Sequence, residues 1–167
     1  MTTSNTLLAD TFDRINQEAH VVLEGLTEDQ LTARIGPDAN TIAWLIWHLA
    51  RIQDDHIADV AGNGQVWISG GWFDTFALPF DAEAHGWGFT TEQVGAVKGI
   101  EASQLAGYLD DVHQQTIAFV GGLTEADLER IVDTRWDPPV TMAARLVSVI
   151  SDNLQHVGQA ALIRGLV

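Results

Sequence analysis

The sequence contains no cysteine, which excludes disulfides, thiolate metal sites and a cysteine nucleophile together. Any metal bound here must be held by histidine, carboxylate or water. Lysine is almost as scarce: Lys98 is the only one among eight Lys and Arg, which face 23 acidic residues. The resulting net charge of -15 has the wrong sign for the attraction that drives binding to nucleic acid or anionic membranes. Long apolar runs are missing too, since no stretch reaches the roughly 18 to 20 residues of a membrane span. The polar start MTTSNTLLAD has neither the basic nor the apolar region of a signal peptide. A cytoplasmic protein without nucleic-acid or membrane partners is expected.

What is present describes a globular chain. Its 167 residues, 46% hydrophobic and 19% charged, suit one domain spanning residues 1–167 with a substantial core. The abundance of Ala, Gly, Val and Asp, with so little Lys, is a bias common in proteins from GC-rich bacterial genomes.

Four segments carry helical periodicity, and the Pro, Gly and aromatic punctuation falls between them. The first runs from about Asn5 to Gly25, with Leu8, Phe12, Ile15, Ala19, Val22 and Leu23 on one face. The second opens at Asn40-Thr41, where a short polar side chain caps the first turn, and runs to about Ala61. The third spans roughly Ser103 to Val120, and the fourth runs from Thr141 to about Gly165. The fold expected is all-α, a four-helix bundle with a long aromatic-rich crossover between helices two and three. A short echo, GLTEDQL after the first helix and GLTEADL after the third, places Thr27 and Thr124 as caps of short turns. It suggests two helix pairs related by pseudo-symmetry, with helices two and four in equivalent positions.

The crossover is about 40 residues, far beyond the 2 to 8 that join neighbouring bundle helices. Its segment QVWISGGWFDTFALPFDAEAHGWGFT suits a packed lid or pocket wall, or equally an aromatic flap over an otherwise exposed bundle face.

Chemistry concentrates on helices two and four. Ser148, Asp152, Gln155, His156 and Gln159 share one stripe of helix four, with Arg145 beneath them. That stripe has no Lys or Glu, so it reads as the lining of an internal polar cavity rather than a solvated face. The alternative is an ordinary amphipathic helix. Leu146, Val147, Ile150, Leu154, Val157 and Ala161 cover the other side.

Asp152 and His156 lie one turn apart, roughly 6 Å along the axis, a span that one metal ion can bridge. His48, placed among Trp44, Leu45 and Ile52, is the best third ligand, because an unpaired ionisable group there is costly to bury. Two histidines and one carboxylate leave coordination positions open, as catalytic sites do. Asp55 is about 10 Å along the helix from His48, which makes it a supporting or substrate-binding group, as are Trp44 and Gln159. Arg51 and Arg145 are candidates for an anionic substrate or cofactor group, with ordinary ion pairs as the alternative. His56 and His113 are weaker candidates to line the cavity, and Asp54-Asp55 reads as a solvated segment.

The segments TIAWLIWHLARIQDDHIADVAG and LVSVISDNLQHVGQAALIRGL resemble the histidine-bearing second and fourth helices of the DinB-like four-helix bundle superfamily. In particular they resemble its mycothiol-dependent branch, which includes the maleylpyruvate isomerase N-terminal domains. The resemblance covers the helix lengths, the long crossover, the Trp-His-Leu-Ala segment and the His-x-Gly-Gln ending. It implies that His48, Asp152 and His156 match the family's metal ligands. It implies a divalent metal, zinc first and nickel or iron after it, that binds the thiol of a low-molecular-weight cosubstrate such as mycothiol. The activity implied is thiol S-transfer to an electrophilic substrate, or thiol-dependent isomerisation, in an actinobacterial cytoplasm, and a homodimer is common in the family. A metal-binding or small-molecule-binding bundle without turnover is the alternative reading.

Overall fold

The computed structural model describes residues 3–167. In chain order the elements are α1 (Ser4–Leu23), α2 (Glu28–Thr32), α3 (Ile42–Ala61), α4 (Val66–Ser69), α5 (Trp72–Phe76) and α6 (Thr91–Gly95). They continue with α7 (Ala102–Gly121), α8 (Glu125–Leu128), the strands β1 (Ile131–Asp133) and β2 (Val140–Thr141), and α9 (Met142–Arg164). The four long helices are those expected from periodicity, and the all-α bundle is the observed class. Among the described residues no helix is long and apolar enough to cross a membrane.

Helix α3 packs against both α7 and α9, and α1 packs against the same two, so α1 and α3 face each other across the diagonal. The two nevertheless bury unequal shares of their surface. Helix α1 buries one face, through Phe12, Ile15, Ala19, Val22 and Leu23. Helix α3 is buried nearly all round, from Ile42 to Asp54 without a break, because the crossover covers what its bundle neighbours leave. Its start is fixed by Thr41, which is itself buried and accepts from the Trp44 N–H at 3.1 Å. Thr41→Ala should cost about 1 kcal/mol by urea denaturation, the usual effect of losing an N-cap. Both echo threonines cap as expected, Thr27 with Gln30 and Thr124 with Asp127 in reciprocal capping boxes.

The core has two apolar clusters. One holds Trp47, Trp67, Tyr108 and Val157 at the crossover end, and the other holds Phe12, Ile57, Met142 and Leu146. Between them in sequence on all three helices lies a buried polar layer. Asn153 donates to Gln53 at 2.6 Å, Gln53 to Thr116 at 2.8 Å, and Thr116 to the Val112 carbonyl at 2.8 Å. Within this layer only Asn153 Oδ1 is buried without a partner, and a buried polar chain of this kind fixes the register of α3, α7 and α9 more than it adds stability.

The crossover is core, not lid, for most of its aromatic residues. Trp67 and Phe76 are fully packed, with Trp67 edge-on to Phe73 and Phe76 and against Tyr108 of α7. Trp72 donates to Asp111 at 2.9 Å and occupies the space where a Cβ on Gly107 would lie 2.8 Å from its ring. Phe80 packs with Phe89 against Trp47. Trp87, by contrast, is 81% exposed. For the packed aromatic residues the flap reading therefore holds over the lid reading, because covering the nearly all-buried α3 consumes their apolar surface.

Candidate metal centre

The structure brings His48 of α3 together with Asp152 and His156 of α9, and one ligand atom of each lies within 4.8 Å of the others. Other groups of three or more His, Asp or Glu with this spacing are absent among the described residues. The two helices meet here because they are bundle neighbours, and the one-turn spacing of Asp152 and His156 points both side chains at the same place.

Each imidazole is held from behind. The Trp44 indole stacks on His48, with ring centroids 4.5 Å apart and planes within 10°, and meets the edge of His156. The two imidazoles are themselves edge-on at 4.9 Å. His48 Nδ1–H donates to the His85 carbonyl of the crossover, which leaves Nε2 with the free lone pair. His156 Nδ1–H donates to Gln159 Oε1 at 3.3 Å, and its Nε2 lies 3.5 Å from Asp152 Oδ1. Such outer hydrogen bonds set the tautomer that a metal ligand needs.

Electrostatics divide the two histidines. Burial pushes the His48 pKa below its ordinary 6.5, with the His85 carbonyl and the Asp152 charge opposing it only in part. His48 is therefore neutral at pH 7, the form that coordinates metals. For His156 burial also works downward, but the Asp152 carboxylate beside it and the Gln159 side-chain oxygen together outweigh that and the pKa is raised.

Asp152 Oδ2 is buried and has no hydrogen-bond partner. A buried carboxylate oxygen without a partner is costly, and a carboxylate with one oxygen within 4.8 Å of two imidazole nitrogens is the donor set of a divalent cation site. The residues present thus fit a metal. His48 forms the buried floor, whereas Asp152 and His156 side chains are 31% and 16% exposed, so the cluster opens towards solvent along α9.

The rest of the α9 stripe does not turn inward. Ser148, Gln155 and Gln159 are exposed, and the buried face is Met142, Leu146, Val149, Asn153, Val157, Ala160 and Ile163. Asp152 and His156 sit on its boundary. Val147 and Leu154, expected on the covered side, are 61% and 49% exposed. The internal-cavity reading gives way to a mostly exposed stripe that meets the buried face only at Asp152 and His156, because it is centred one residue away from the true helix interface.

Arg51 is not available to a substrate. It is fully buried, and its donors go to the carbonyls of Ala84 and Ala82 and to Gln65. Arg145 takes the ion-pair reading as well, with one amino group on Asp133 at 3.0 Å and the other on His56 Nδ1 at 2.8 Å. Asp55 accepts from Gln65 at 2.8 Å and shares with His56, Asp59, Asn63 and Arg145 a polar cavity of about 370 Å³. Burial and the Arg145 charge depress the His56 pKa. His113 pairs with Asp13 instead of lining a cavity, and His20 with Asp110.

Two contributors to the site were not legible beforehand. The His85 carbonyl is a backbone group, which residue type does not announce. Gly86, with φ of +94°, stands where a Cβ would lie 2.8 Å from His48 Nδ1 and 3.2 Å from Trp44 Nε1. A glycine inside an aromatic crossover was the only available signal.

The fold and the cluster define a helical bundle with a histidine–carboxylate site between two neighbouring helices. The sequence profile of the DinB superfamily matches residues 11–160, and the chain belongs to that superfamily. It is also similar to a crystal structure of a conserved protein from Enterococcus faecalis, with 31% identity and a TM-score of 0.92, over 100% of this chain and 98% of the other. No curated protein matches.

Proposed function

We propose that the protein is a divalent-metal-dependent thiol S-transferase, or a thiol-dependent isomerase, that uses a low-molecular-weight thiol such as mycothiol. The observation that carries the reading is the buried, unpartnered Asp152 Oδ2 beside the two imidazoles of His48 and His156. Membership of the DinB superfamily and the resemblance to its mycothiol-dependent branch support the choice of chemistry. His48, Asp152 and His156 would hold the ion, with zinc the first choice for two nitrogens and one oxygen.

When bound, such an ion lowers the pKa of a coordinating thiol and supplies a thiolate nucleophile at neutral pH. The chain's own residues prepare for that. Three protein ligands leave a position for an outside sulfur, and the exposed flank at Asp152 and His156 gives access to it. Trp44 and the His85 carbonyl fix the imidazoles, so that little reorganisation accompanies binding.

The test begins with metal analysis of protein purified from metal-replete cells, where about one ion per chain is expected. Mycothiol and chlorodinitrobenzene are then supplied to the loaded protein. Enzyme-dependent conjugation, abolished by chelator and restored by zinc, is the expected result. Bound metal with no rate above background across several thiols would assign the bundle to a non-catalytic binding role.

A further inference from the structure

Arg51 lies three residues from His48 on α3 and is fully buried. Charge pairing alone would be met by Asp54, 3.7 Å away, yet the guanidinium reaches much further. Its Nε donates to the Ala84 carbonyl at 3.1 Å and one amino group to the Ala82 carbonyl at 3.2 Å. The other amino group donates to Gln65 Oε1 at 2.9 Å, and the guanidinium carbon lies over the Trp67 ring, 5.0 Å from its centroid. A rigid planar fork of this kind fixes geometry as well as charge.

What it fixes is the piece of crossover that touches the metal cluster. One residue beyond Ala84, the His85 carbonyl accepts from His48 Nδ1. One residue further, Gly86 presses its backbone against His48, Trp47 and Trp44, closely enough that a Cβ would meet each of them within 3.2 Å. Helix α3 thus binds its own covering segment through Arg51 and receives from that segment the hydrogen bond that orients His48.

We propose that Arg51 and Gly86 are positioning residues for the metal centre: together they hold the His85 carbonyl on His48 and so fix the imidazole tautomer that leaves Nε2 as the ligand nitrogen. The consequence for metal affinity rests on the metal reading above, whereas the tautomer does not. Loss of an outer hydrogen bond of this kind typically weakens metal binding about 10- to 100-fold.

The test uses wild type, Arg51→Met and Gly86→Ala. Long-range proton–nitrogen imidazole spectra of the metal-free proteins report the tautomer, and cobalt(II) titration followed by visible absorbance reports affinity. Wild type is expected to show His48 in the Nδ1–H form alone. Each variant is expected to show mixed tautomers and a cobalt Kd raised at least about tenfold, with helical circular dichroism unchanged. A folded variant that keeps the single tautomer and a Kd within about twofold of wild type overturns the proposal. Should Arg51→Met fail to fold, Gly86→Ala decides alone, because it alters the crossover without removing a core side chain. If wild type binds no cobalt, the metal reading fails, and the tautomer comparison still decides the role of Arg51 and Gly86.

Discussion

His156→Ala is expected to reduce bound metal from about one ion per chain to less than about 0.1, while the bundle stays folded. The imidazole stands at the edge of the buried face of α9, with 16% of its side chain exposed, so its removal costs some packing against Trp44 and His48 without opening the centre of the core. Stability in the absence of metal should fall by about 1–2 kcal/mol. The loss appears instead through linkage: zinc at 100 times its Kd should stabilise wild type by about 2.7 kcal/mol and the variant by nothing. For a chain of this size that corresponds to a melting-temperature rise of about 5–10 °C seen only in wild type. His48→Ala should lose metal equally but cost more without it, because that residue is buried and its absence strands the His85 carbonyl. Asp152→Asn keeps the volume and removes the charge, and should fall between. Equal metal content and equal zinc shifts in wild type and His156→Ala would end the metal reading.

The bundle was legible because its four long helices carry regular apolar spacing and clear caps. The meeting of α3 with α9 was legible only through His48 as a third ligand to the Asp152–His156 turn, since the echo at Thr27 and Thr124 makes the two helices equivalent without making them neighbours. Where sequence failed, the cause was tertiary. Asp54 and Asp55 look alike as a solvated acidic pair, yet Asp54 is buried and Asp55 half-exposed, because only the crossover decides which flank of α3 meets water. Arg51 looks like a free cation for the same reason. Val147 and Leu154 look like core and face outward, since an apolar residue does not record which side of its helix has a neighbour.

Asp54→Ala is expected to destabilise the protein by about 3–5 kcal/mol, the cost of leaving a buried partner charge uncompensated. Asp54 is 1% exposed and joins four groups. Its Oδ1 accepts from the Val66 N–H at 2.9 Å, and its Oδ2 from the Trp67 N–H at 2.7 Å and the Tyr108 hydroxyl at 2.9 Å, with Arg51 3.7 Å away. Alanine would strand two backbone donors at the start of α4, the tyrosine hydroxyl and the guanidinium together. Asp54→Asn keeps one acceptor oxygen and should cost less. Burial pushes the Asp54 pKa above its ordinary 3.8, with the Trp67 and Val66 N–H groups, Tyr108 and Arg51 only partly offsetting it. A carboxyl that holds its proton more readily folded than unfolded contributes most at acid pH, and that contribution declines as pH rises through the folded value. The alanine penalty should therefore be larger at pH 4 than at pH 7, measured by urea denaturation with tryptophan fluorescence. A penalty below about 1 kcal/mol would mean that the crossover does not depend on Asp54. A penalty that grew with pH would mean that the Arg51 pairing, rather than burial, dominates the carboxyl's titration.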